Sequence, residues 1–109
     1  MNFKIKTTPR FEKDVKKLHK RFPKLKDDLT QLIAQLYQNP TMGTHLGENI
    51  YKIRLQNASI SSGKSGGFRV ISYYFAADAL YLVTMYSKSD KENMLDKELK
   101  KIIQEEISN

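Results

Sequence analysis

The sequence predicts an α+β fold in the order β-α-α-β-β-β-α: a small antiparallel sheet of about four strands, with an N-terminal helical hairpin on one face and a C-terminal helix. Three features lead there. Two stretches with apolar residues at helical spacing follow each other between residues 9 and 38, parted by Pro23. Three stretches between residues 50 and 86 are rich in β-branched and aromatic residues, and the first alternates strictly between apolar and cationic. A last apolar stripe at helical spacing follows. The chain has 109 residues, about one domain's worth, so residues 1–109 are expected to share one fold.

Phe3-Lys4-Ile5-Lys6-Thr7 alternates and is expected to be a short first strand. Thr8-Pro9 reads as a helix start, with Thr as N-cap and Pro at the first helical position. Phe11, Val15, Leu18 and Phe22 then form one apolar stripe, with Lys13, Lys16, Lys17 and Lys20 on the opposite side. Leu25, Leu29, Leu32, Ile33 and Leu36 give the second helix its buried face, and Asn39-Pro40 closes it. So short a turn predicts an antiparallel helical hairpin. Residues 41–49, with Gly43 and Gly47, read as a loop.

Ile50 to Gln56 is expected to be a strand, with Tyr51, Ile53 and Leu55 facing the hairpin. Lys52 and Arg54 then stand side by side on the other face, which is expected to be open or concave. Asn57 to Gly67 is a serine- and glycine-rich connection. Phe68 to Phe75 reads as a central strand buried on both faces, with Tyr73, Tyr74 and Phe75 in the core. Residues 76–79 turn the chain, and Leu80 to Tyr86 forms the next strand. Ser89 and Glu92 make a capping box for a last helix, whose stripe is Leu95, Leu99, Ile102 and Ile103.

Cysteine is absent, which excludes disulfides and thiolate metal sites. No apolar run is long enough to span a membrane, and residues 1–6 lack the apolar core of a signal peptide. A soluble, cytoplasmic protein is expected. His19 and His45 stand apart, so no metal or other cofactor is expected. The net charge of +7 is unevenly spread. Residues 1–26 hold ten Lys or Arg against two acids, and residues 50–88 five against one. Residues 27–49 and 89–109 are net acidic. Such an excess favours phosphates or an acidic partner.

Nothing in packing calls for two like charges on one strand face, so Lys52 and Arg54 point to a charged substrate. Arg69 opens the central strand, while Tyr86 and Lys88 share a face at the end of the last if it runs on to residue 88. Antiparallel pairing would bring these four cations onto one sheet face. Bland readings stand beside this one. Arg69 also fits an ion pair with Asp78 or a carboxylate of the last helix, and Lys88 fits a charge approaching that helix. Tyr86 suits core packing as well as base stacking. The lysine stripe suits a solvated face as well as an RNA backbone. Lys64, among its glycines, lacks P-loop spacing.

Tyr51-Lys52-Ile53-Arg54-Leu55, Gly67-Phe68-Arg69-Val70-Ile71 and Tyr86-Ser87-Lys88-Ser89, in this order on these elements, resemble the RelE/ParE superfamily of type II toxin–antitoxin toxins. Gly63-Lys64-Ser65-Gly66-Gly67-Phe68-Arg69 is similar to its HigB/RelE-like branch. The resemblance implies a ribosome-dependent endoribonuclease that cleaves translated mRNA. It implies a cognate antitoxin as partner and, through that antitoxin, operator DNA. The family's basic side chains fall on Lys52, Arg54, Arg69 and Lys88. Its C-terminal tyrosine falls on Met94, which cannot transfer a proton, and Tyr86 is the nearest substitute.

The chemistry needs a base near the 2′-hydroxyl, a donor for the leaving 5′-oxygen and positive charge for the phosphorane. Lys52 suits the base where burial and neighbouring cations favour its neutral form. Arg54 and Arg69 suit phosphate clamps, and Lys88 a clamp or proton donor. Lys13, Lys16, Lys17, Lys20 and Lys64 are candidate RNA contacts. Two alternatives stay open: a ParE-like inhibitor of DNA gyrase, and an RNA-binding domain that does not cut.

Overall fold

A computed structural model describes residues 3–60, 66–75, 78–91 and 94–107. The chain runs β1 (Lys4–Thr7), α1 (Pro9–His19), α2 (Leu25–Gln38), β2 (Thr44–Gly47), β3 (Ile50–Leu55), β4 (Phe68–Phe75), β5 (Ala79–Ser87) and α3 (Asp96–Ile107). The strands form one sheet in the order β1-β5-β4-β3-β2. The α+β class and the helix-pair-then-meander order are as the sequence predicts. The sheet has five strands rather than about four, and it is mixed. β1 runs parallel to β5, while the other neighbours are antiparallel.

Alternation along the strands sorts their side chains into two cores. On one face, Ile53, Phe68, Val70, Leu80, Leu82 and Met85 pack against Phe11 and Leu18 of α1 and Leu25, Leu29, Leu32 and Leu36 of α2. Fully burying one such side chain contributes about 1.5–3 kcal/mol. On the other face, Ile50, Ile71, Val83 and Tyr86 pack against Met94, Leu99 and Ile102. The face expected to be open is therefore partly roofed by α3. Sequence reading missed the roof because it placed Leu95 in the helical stripe. Leu95 lies just before α3 and is 69% exposed, while Met94 takes the buried position.

Three further details differ from expectation. Residues 44–47, taken as loop, pair with β3 as an edge strand. The turn between them passes through Glu48 (φ 53°) and Asn49 (φ 66°), a left-handed pair in which glutamate is unusual and therefore hard to anticipate. Leu55 packs toward the hairpin core as expected, but Tyr51 stacks on His45 with ring centroids 4.9 Å apart. The last helix starts at Asp96 rather than just after Ser89, and the Leu95 amide before it donates to Glu98 Oε1 at 3.4 Å. Glu92 lies outside the described residues.

Long-range hydrogen bonds fix how α1 sits on the sheet. The Thr8 hydroxyl caps α1 by accepting from the Phe11 amide at 3.0 Å, and it donates to the Val83 carbonyl at 2.7 Å. Asp14 Oδ2 accepts from the Thr84 hydroxyl at 2.6 Å and from the Met85 amide at 3.1 Å. These bonds grip β5 where its pairing with β4 slips by one residue. Ser72 pairs with Leu82, but Ile71 pairs with Thr84, so Val83 is the extra residue of a β-bulge.

Candidate functional site

The sheet register lays the cations out in rows. Arg54 pairs with Arg69, and Arg69 pairs with Tyr86, so these three residues form one line across β3, β4 and β5. Lys52 occupies the next row in one direction, between Thr44 and Ile71. Lys88 occupies the next row in the other direction. Its amide donates to the Gly67 carbonyl at 2.9 Å, which continues the β4–β5 ladder one step beyond Phe68 and Ser87. Two residues along a strand span about 6.7 Å and neighbouring strands lie about 4.8 Å apart. Lys52 and Lys88 thus flank the arginine row from opposite sides, with Cα positions roughly 16 Å apart on that geometry.

Two glycines let the backbone close up around this grid. A Cβ on Gly67 would collide with the Leu55 carbonyl, and β4 enters the site one residue later. A Cβ on Gly43 would collide with the carbonyl of Lys52 itself, and its φ of 101° is a value that side-chain-bearing residues rarely adopt.

Arg69 is only 3% exposed, while Arg54 is exposed and Lys52 half-buried. The Arg69 guanidinium donates from Nη1 to its neighbour's carbonyl, Phe68 O, at 3.1 Å. Burial, and secondly the charge of Arg54, push its pKa below the ordinary arginine value, and Tyr86 opposes this. The group remains charged in water. A desolvated guanidinium beside a second cation attracts anionic groups, and a phosphate laid on the row would supply one. Asp78, the acid that sequence reading offered as a partner, lies at the other end of the β4–β5 hairpin, just before the Ala79–Phe75 pair.

Tyr86 is 7% exposed, and its hydroxyl has no hydrogen-bond partner among the described residues. Burial, the first cause, pushes its pKa up, while the Met94 backbone, near the hydroxyl but without a hydrogen bond of good geometry, and the Arg69 charge pull the other way. The phenol is therefore a neutral group packed beside Met94 in the second core. The position expected to hold a tyrosine is a core position here.

Lys13, Lys16, Lys17 and Lys20 are all exposed. With Arg10 and Asp14 they line a surface groove of about 450 Å³ along α1. Lys17 also borders a small hollow shared with Tyr86, so the stripe reaches the edge of the strand grid. Lys64 lies outside the described residues. Sequence reading missed Asp14, whose signal was its position as an acid inside the lysine stripe. It also missed a hollow beside Lys52, which depends on how α3 docks.

Residues 3–107 match the family model described as the RelE toxin of the RelE / RelB toxin-antitoxin system. The chain belongs to the RelE toxin family. No curated protein matches it. As a RelE-family toxin it has a toxin's role in a toxin–antitoxin system, and the family implies an antitoxin partner. Among the described residues, no helix is long and apolar enough to cross a membrane.

Proposed function

We propose that this RelE-family toxin is a ribosome-dependent endoribonuclease whose site is the cation grid on the α3 side of the sheet. The observation that carries the proposal is the row of Arg54 and Arg69 with a lysine in the row on either side. A phosphodiester laid across the row meets two guanidinium forks, and the two lysines stand toward its two ends. In the reaction, the 2′-oxygen bonds to the adjacent phosphorus and the bond from phosphorus to the 5′-oxygen breaks. Lys52 takes the 2′-hydroxyl proton, and Lys88 supplies a proton to the leaving 5′-oxygen. Arg54 and Arg69 hold the phosphorane's charge. Such preorganised charge is worth about 10²–10³-fold per donor, and general acid–base transfer about 10²–10⁴-fold. Tyr86 acts as a positioning residue, since its buried, neutral phenol backs Arg69. The exposed lysines of α1 meet RNA backbone outside the cut.

Primer extension on messages from cells expressing the toxin tests this. Breaks confined to translated message, and lost in Lys52→Ala and Arg69→Ala, are expected. Intact message together with blocked DNA supercoiling replaces the proposal with gyrase inhibition. RNA binding without breaks leaves a non-cutting RNA binder.

A further inference from the structure

We infer that the ion pair between Arg21 and Asp90 holds Lys88 in place, so that both are positioning residues for the proton donor to the leaving 5′-oxygen. This rests on the nuclease reading above and deepens it. Lys88 combines a fixed backbone with an untethered head. Its amide donates to the Gly67 carbonyl, and the turn that carries it closes through bonds from the Asp90 and Lys91 amides to the Ser87 carbonyl, at 3.0 and 3.2 Å. The Ser89 amide donates to the Ser87 hydroxyl at 3.3 Å, and the two serine hydroxyls lie 2.8 Å apart. The Lys88 ammonium makes no hydrogen bond or ion pair among the described residues.

A turn at the end of a strand has few neighbours of its own to fix its direction. Arg21 supplies a hold from the turn after α1, where its Nη1 donates to Asp90 Oδ2 at 2.5 Å. The guanidinium is itself restrained, 4.9 Å from the centroid of the Phe22 ring, and Phe22 meets Phe68 edge-on at 5.4 Å. Phe68 in turn pairs with Ser87 across the β4–β5 ladder, one residue before Arg69. The helical hairpin grips β5 a second time upstream, where Asp14 accepts from the Thr84 hydroxyl and the Met85 amide. Tyr86, Ser87 and Lys88 lie between the two grips. Charge adds to position. Asp90 stands two residues from Lys88, and a free carboxylate there would compete with an RNA phosphate for the ammonium. Arg21 occupies that carboxylate. About half of each partner's side chain is exposed (48% and 46%), and exposed pairs contribute little to stability. Geometry is where such a pair counts, since a misplacement of about 1 Å can cost about 10²-fold in rate.

The test uses the full chain on ribosomes programmed with a short message, in single-turnover reactions. One message carries the natural 5′-oxygen at the cut, and the other carries sulfur in its place. With oxygen, the bond from phosphorus breaks as the oxygen takes a proton from the Lys88 ammonium. With sulfur, the phosphorus–sulfur bond breaks and a thiolate leaves without a proton, since a thiol has a pKa of only about 8.5. Arg21→Ala and Asp90→Ala are expected to cut the oxygen message about 10–100-fold more slowly than wild type. On the sulfur message both should cut at close to the wild-type rate, as should Lys88→Ala. Arg21→Lys keeps the pair and should recover most of the rate, and melting temperatures should stay within about a degree or two. Wild-type rates on the oxygen message, or equal losses on both messages, overturn the inference while leaving the nuclease in place. Hydrogen exchange reads the hold without any cutting. The Lys88 amide should exchange faster in Asp90→Ala, and unchanged exchange overturns the inference. A wild type that cuts neither message removes the nuclease reading instead.

Discussion

Replacing Arg69 by methionine should separate function from stability. The side chain is 3% exposed and in line with Arg54 on the neighbouring strand. Burial first, and Arg54 second, weaken its hold on its proton, so the folded protein disfavours the charge it carries. For a base with a lowered folded pKa, the unfolded chain binds the proton more tightly, and stability rises only as pH enters the arginine range. Below that range the penalty is constant. Methionine keeps much of the length and removes the charge, and it forfeits the hydrogen bond to the Phe68 carbonyl, worth about 1 kcal/mol, together with the guanidinium's other contacts. Replacing buried ionic groups by apolar ones of similar volume is often neutral or stabilising by about 1–4 kcal/mol. The urea midpoint of Arg69→Met should therefore correspond to a change of no more than about 2 kcal/mol in either direction. Single-turnover cleavage of a translated message should fall by about 10²–10³-fold, the cost of one preorganised donor. Arg69→Lys keeps a charge but loses the fork, so it should recover only part of the rate. A methionine variant that loses more than about 2 kcal/mol would make Arg69 an ordinary structural residue, against the cost expected of a buried charge. Wild-type cutting by that variant would remove it from the site.

Tyr86→Phe removes a buried hydroxyl with no hydrogen-bond partner among the described residues, so neutral-pH stability should hold or rise by up to about 1 kcal/mol. Because burial raises the Tyr86 pKa, the folded state keeps a proton that the unfolded chain releases above about pH 10. Its contribution is complete below that pH and is lost above it, so Tyr86→Phe should flatten the alkaline fall in melting temperature. Glu48→Gly relieves a left-handed glutamate in the β2–β3 turn and should add about 0.5–1 kcal/mol by chemical denaturation. Changing Lys13, Lys16, Lys17 and Lys20 to alanine should leave the melting temperature within a degree or two while flattening the salt dependence of RNA binding. The fall in log–log slope should be about 0.7–0.9 for each lysine that meets a phosphate, and an unchanged slope makes the stripe a plain solvated face. Asp14→Asn weakens the grip on Thr84 and Met85 at the bulge; it should cost about 1–3 kcal/mol and speed hydrogen exchange at the Met85 amide.

Local signals in the chain were legible because their causes are local. Thr8-Pro9 starts a helix through bonds within one turn, and the stripes of α1 and α2 follow from spacing alone. Strict alternation placed Ile53 in the hairpin core and Lys52 and Arg54 on the opposite side. Harder features depend on distant partners. A four-residue strand such as β2 exists only because β3 lies beside it. The roof over the basic face depends on Met94, rather than Leu95, meeting Tyr86 and Ile71. Arg69 is likewise buried, and strand composition carries no trace of it.

The bulge at Val83 shows how much of the site hangs on such a distant cause. From Phe75 to Ser72, β4 pairs with β5 in one register; beyond Val83 the register has moved by one residue. Carried through without the bulge, the first register would set Met85 opposite Arg69 and Ser87 opposite Gly67. Tyr86 and Lys88 would then point to the hairpin face, and Met85 would leave the core it now fills. The extra residue thus gives one strand two alternation phases, apolar toward the helices at Leu80 and Leu82, and Tyr86 toward the cations. Within β5 itself, Leu80 to Tyr86 is nearly continuous in apolar residues and does not show where the phase changes. Thr8 and Asp14 mark the place, through bonds to Val83, Thr84 and Met85 from 70 or more residues away. A helix start and an acid in a lysine stripe therefore decide which side chains of the last strand join the arginine row.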